Sequence, residues 1–106
     1  MESIDAKSFR RAVRAFKCLP LNKKFYADAQ QKGLKADKVF IDQKRYRLEG
    51  SRWFQSTYSL EASFEWLITV GVLRREVDGQ GLTSRIRLTP LGRQILEVSP
   101  NTPEEK

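Results

Sequence analysis

SLEASFEWLITVGVLRREVDGQGLTSRIRLTPLGRQIL, residues 59–96, reads as helix, hairpin, helix. Ser59 can cap a helix, and Glu61 in the first turn complements its positive end. Leu60, Phe64, Leu67 and Ile68 recur at the spacing of one helical face. Gly71 follows the last periodic residue, where a left-handed residue commonly closes a helix. Two short apolar and β-branched runs, Val72–Val77 and Leu82–Leu88, flank Asp78-Gly79-Gln80-Gly81, a hairpin signal. Thr89 then offers a capping hydroxyl and Pro90 a preset first helical residue, ahead of Leu91, Ile95 and Leu96.

A helix ending in Gly71-Val72-Leu73-Arg74-Arg75, a basic hairpin, and the run RIRLTPLGRQIL together resemble a winged helix-turn-helix. The resemblance is to the MarR-like class of bacterial regulators, over about the last half of the chain. Its most specific piece is Leu88-Thr89-Pro90-Leu91-Gly92. The fold class it implies is mainly α with a small β-hairpin (α+β). The expected layout is a single domain over residues 1–98: basic helices in 5–33, a helix-turn-helix at about 36–71, a wing at 72–88 and a C-terminal helix at 89–98. Residues 99–106, rich in Pro, Asn, Ser and Glu, read as a disordered tail.

Composition narrows the function classes. With 106 residues there is material for one modest core. The absence of histidine and the presence of one cysteine exclude the usual zinc sites and histidine-based triads. No phosphate-cradling glycine loop appears, so neither an enzyme nor a cofactor is expected. Glu61 and Glu65 lie one turn apart and read as solvated helix glutamates. Cys18, between a helix and Leu19-Pro20, reads as a small buried hydrophobe. No apolar run approaches the roughly 18 residues of a membrane span, and no signal-peptide pattern opens the chain. A cytoplasmic location is therefore expected, at the nucleoid if DNA is the partner.

Charge is distributed unevenly. The net value is +7, but residues 1–53 carry 14 Lys and Arg against 6 Asp and Glu, while residues 54–106 carry 6 against 7. Affinity for a polyanion is thus expected in the first half. Asp5 to Lys17 reads as a helix ended by Pro20, with Phe9, Ala12, Val13 and Phe16 on one face. Lys7, Arg10, Arg11, Arg14 and Lys17 line the other, as a polyanion stripe or as a solvated basic face. Asn22 to Lys32 reads as a second helix capped by Asn22 and stopped at Gly33. In Ala36–Phe54, Val39, Phe40 and Ile41 open a helix or form a short strand. A helix through about residue 47 and a turn at Gly50 is the favoured reading. In a winged helix, this interval also holds one short strand pairing with the wing. Trp53, Phe54 and Tyr58 are candidate core aromatics, with Arg45, Arg47 and Arg52 on the surface.

The resemblance and the basic first half together imply a DNA-binding protein of the transcriptional-regulator kind. Ser59–Val70 would lie in the major groove, with Ser59 and Ser63 near bases. A start at Ser56 or Thr57 would bring Gln55 and Ser56 to that end instead. Arg85 and Arg87 on the wing would meet the adjacent backbone or minor groove, and Lys44, Arg45, Arg47 and Arg52 before the helix would meet phosphates. This helix departs from the usual pattern by offering Glu61 and Glu65 and no cation. The alternative is an adaptor docking on an acidic protein or a nucleoprotein complex. RNA binding through Lys44–Arg47 and Trp53 ranks third. Double-stranded DNA is the expected partner, with a protein partner and a homodimer as further options and no membrane.

Overall fold

The computed structural model describes residues 6–98, and the tail at 99–106 lies outside them. Among the described residues are six helices and one two-stranded antiparallel hairpin: α1 (Ala6–Cys18), α2 (Lys23–Gln31), α3 (Ala36–Ile41), α4 (Gln43–Tyr46), α5 (Thr57–Thr69), β1 (Leu73–Asp78), β2 (Gly81–Leu88) and α6 (Pro90–Val98). The α+β class expected from the sequence is thus observed. No helix among the described residues is long and apolar enough to cross a membrane.

Local chemistry accounts for most of the boundaries. The Asn22 side chain accepts from the Phe25 amide at 3.0 Å, and α2 begins at the next residue. Gly71 takes φ +90 after α5, a conformation that costs glycine little. At the hairpin's end, the Thr89 hydroxyl accepts from Gly92 N at 3.0 Å and donates to carbonyls at the base of the hairpin, on Gly71 and Val72. One side chain therefore starts α6 and ties it to β1.

An aromatic cluster forms the centre of the core. Phe25 is fully buried, with its ring centroid 4.9 Å from Tyr26, 5.8 Å from Tyr46 and 5.7 Å from Phe64. Phe16 of α1 stacks on Tyr26 at 4.1 Å. One phenylalanine thereby joins α2 to α4 and α5, and its neighbour Tyr26 brings in α1. Burial pushes the Tyr26 phenol well above the ordinary tyrosine range. Around this centre α1 packs on α5 and α6, α3 packs on α5, and α2 packs on β2 and α6.

The structure corrects several sequence expectations. The helix expected through residue 47 breaks at Asp42 into α3 and α4. Residues 46–48 are needed elsewhere: Tyr46 O accepts from Asn22 N at 3.0 Å, and Leu48 N donates to Pro20 O at 2.9 Å. The expected turn at Gly50 is present, with φ +85 and Ser51 N donating to Leu48 O at 3.0 Å. The cap of α5 is Ser56, not Ser59, and Ser59 is the third helical residue of a capping box. Cys18 is exposed, because it lies about 200° round α1 from Phe16. Tyr58 is 84% exposed, on the side of α5 opposite Leu60, Phe64 and Leu67. Trp53 and Phe54 do pack against the core, and the Trp53 indole donates to Phe40 O at 3.0 Å.

The hairpin register also shifts. Leu73 pairs with Leu88 and Arg75 with Ile86, but Val77 pairs with Leu82, so that Thr83, Ser84 and Arg85 of β2 lie opposite Glu76 alone. Beyond this irregularity Val77 is 60% exposed, whereas Leu73 at the base of the same strand is buried. The segment that joins the hairpin from outside is Leu34, earlier than the interval expected to supply it. Leu34 N donates to Ile86 O at 3.1 Å, and Ile86 N donates back to Leu34 O at 2.8 Å.

Candidate nucleic-acid interface

α5 was the expected reading element, and its hydroxyls serve the helix itself. The Ser59 hydroxyl donates to Ser56 O at 2.9 Å, and Ser63 donates to Ser59 O at 3.3 Å. Its exposed residues are Tyr58, Ala62, Glu65, Trp66 and Thr69, with no cation among them. Glu65 and Glu61 are not merely solvated, since Arg75 of β1 reaches them at 2.6 and 3.6 Å. These pairs anchor the hairpin to the helix.

The two arginines of β2 make contacts within the molecule. Arg87 donates to Ala29 O at 3.2 Å and Gln30 O at 3.0 Å, at the C-terminal end of α2. A guanidinium suits that place, where helix carbonyls lack partners and carry partial negative charge. Arg85 lies 3.4 Å from Glu76 and 3.9 Å from Asp78. The expectation that Arg85 and Arg87 face a groove therefore does not match their contacts. Arg87→Ala is expected to lower stability by about 1–2 kcal/mol, because two carbonyls lose a charged donor. Urea denaturation checks this, with exposed Arg74→Ala as the comparison expected within about 0.5 kcal/mol of the parent.

The basic residues before α5 divide in two. Arg45 is bound to Asp28 at 2.8 Å, and Asp28 also accepts the Tyr46 hydroxyl at 2.8 Å. The Arg45 guanidinium, helped by that hydroxyl, holds the Asp28 carboxyl below the usual carboxylate range. Arg45 thus fixes α4 on α2. Lys44, Arg47 and Arg52 are exposed and make no ion pair with another described residue. Arg47 spends one donor on Ser51 O at 2.8 Å. Lys44 and Arg47 border a shallow cleft of about 440 Å³ with Ile41, Asp42 and Gln43.

On α1 the separation of faces is as expected. Ala12, Ala15 and Phe16 are buried, and Lys7, Arg10, Arg11, Arg14 and Lys17 are exposed. None of the five makes an ion pair with another described residue. Of the candidates for phosphate contact named from the sequence, those free of ion pairs are therefore the five of α1 with Lys44, Arg47 and Arg52. Asp28 and Glu76, which occupy the other candidates, have no sequence signature, because their partners lie 17 and 9 residues away in the chain.

The sequence model of one family, described as Npun_F0494-like, matches residues 2–106. The chain belongs to the Npun_F0494-like family. Neither a curated protein nor a solved structure matches it. Because the family match spans α1 through α6, the exposed basic face of α1 lies inside the family's own extent, as do Lys44, Arg47 and Arg52.

Proposed function

We propose that this Npun_F0494-like protein is a winged-helix module that binds double-stranded DNA mainly through its phosphates, in the manner of a transcriptional regulator. The order α2, the Leu34 pairing, α3 with α4, α5 and the β1–β2 hairpin supports the winged-helix reading. The observation carrying the DNA reading is that Lys44, Arg47, Arg52 and the α1 stripe are exposed and unpaired among the described residues. Backbone contacts of this kind bind with little regard to sequence, and α5 adds few base contacts because its serines are engaged and it has no cation.

Fluorescence anisotropy with a labelled duplex across a salt series tests this. The parent is expected to bind with a steep negative dependence of log affinity on log salt. A Lys44→Glu, Arg47→Glu, Arg52→Glu triple variant is expected to lose about three units of slope. Arg87→Ala is expected to leave the slope unchanged. Absence of duplex binding by the parent at low salt would sink the proposal.

A protein-docking adaptor is the second reading, favoured by Tyr58 at 84% and Trp66 at 41% exposure on α5. Large exposed aromatics commonly anchor protein interfaces. In the same titration, a duplex affinity more than tenfold weaker in Tyr58→Ala would place DNA on that face and remove this reading.

A further inference from the structure

A second basic surface lies between α2, α3 and β2. Lys32 caps the end of α2, Lys35 immediately precedes α3, Lys38 lies in the last turn of α3 and Arg85 comes from β2. These four cations and one carboxylate, Asp42, border a cleft of about 360 Å³. The buried residues Leu34, Val39 and Tyr46 contribute its apolar part.

The backbone forces this convergence. The paired hydrogen bonds between Leu34 and Ile86, at 3.1 and 2.8 Å, hold the residues next to each, Lys35 and Arg85, at one place. Gly33 permits the approach: a Cβ there would run into the Glu76 carboxylate and lie 3.0 Å from Arg85 Cβ. The three lysines make no ion pair with another described residue. Arg85 lies 3.4 and 3.9 Å from its two carboxylates, longer than the roughly 2.7–2.9 Å of a strong charged hydrogen bond. Its guanidinium therefore retains capacity for another anion.

We propose that this cleft binds the phosphate group of a small phosphorylated ligand. Several ammonium donors and a guanidinium fork suit a doubly charged group with three or more acceptor oxygens better than a lone carboxylate. The volume lies in the range of small-molecule sites, and the apolar floor can take the rest of the ligand. A nucleic-acid backbone offers the same phosphate chemistry, but as a continuous ridge rather than a body filling a concave site. This site stands apart from the duplex reading above, which rests on α1, Lys44, Arg47 and Arg52.

The test is an amide-resonance titration of the full chain with inorganic pyrophosphate at constant ionic strength, with a short duplex as the parallel arm. Saturable shifts are expected at Gly33, Leu34 and Ala36 and at the Arg85 side chain, with a dissociation constant of about 1 mM or tighter. A Lys35→Glu, Lys38→Glu variant, altered only at exposed positions, is expected to weaken pyrophosphate at least tenfold. An Arg10→Glu, Arg14→Glu variant is expected to leave it unchanged. Shifts in this cleft with the duplex alone would overturn the proposal, as would non-saturating pyrophosphate shifts or equal weakening in both variants. Saturation by pyrophosphate in a protein that ignores the duplex would uphold the cleft and remove the DNA reading.

Discussion

Phe25→Ala is expected to cost about 3–5 kcal/mol, the largest effect of any single change considered for this chain. The side chain is fully buried, and its ring meets those of Tyr26, Tyr46 and Phe64. Truncation loses the transfer free energy of the ring and leaves a cavity. The neighbours cannot close that cavity, because each is held from elsewhere. Tyr46 is bound to Asp28, Tyr26 is stacked on Phe16, and Phe64 sits on the buried face of α5. Against a total stability of about 5–15 kcal/mol for a domain of this kind, such a loss is a large share. Thermal denaturation followed by circular dichroism should show a melting point lower by on the order of 20 °C. A drop of only a few degrees would mean that the cluster repacks and that Phe25 does not join the helices as described.

Gly92→Ala is the second large effect, and there two influences oppose each other. Alanine favours a helix interior over glycine by about 1 kcal/mol, which alone would stabilise α6. The added Cβ, however, would collide with Val72 O and approach Leu88 Cδ1 to 2.7 Å. Val72 O cannot retreat freely, since Thr89 N and the Thr89 hydroxyl both bond it at 3.0 Å. Overpacking against a fixed backbone typically costs about 1–3 kcal/mol, so the clash wins. With backbone as the obstacle, the cost falls at the upper end of that range, and the expected result is a net loss of up to about 2 kcal/mol by urea denaturation. Gly79→Ala, where a Cβ meets nothing within 4 Å, should stay within about 0.5 kcal/mol of the parent. A stabilised Gly92→Ala would show that helix propensity outweighs the contact between α6 and the base of the hairpin.

The site was less legible than the fold, and the arginines show why. Arg45, Arg47, Arg85 and Arg87 look alike in the sequence, each near aromatic or β-branched residues. Arg47 stays exposed, whereas Arg45 holds Asp28, Arg85 holds Glu76 and Arg87 holds the end of α2. Exposure of Arg47 and Arg52 was readable from charge and spacing. Occupation of the others was not, because their partners belong to elements that meet only after folding. The hydroxyls of Ser59 and Ser63 are engaged for a different reason. Moving the start of α5 to Thr57 changes Ser59 from the expected cap into the third helical residue, half of a capping box with Ser56.

By itself the sequence determined the elements whose signals act within about four residues. Asn22 starts α2, Gly71 ends α5, Thr89-Pro90 starts α6, and the glycine-bearing loop closes the hairpin. The apolar spacing of α5 likewise identified Leu60, Phe64 and Leu67 as its buried face. Tertiary structure alone decided the break at Asp42, the bulge opposite Glu76 and the meeting of Leu34 with Ile86. Each depends on which surfaces lie together across tens of residues. Capping and periodicity are satisfied inside a segment, whereas a cation's use depends on which carboxylate, carbonyl or open water the fold places beside it.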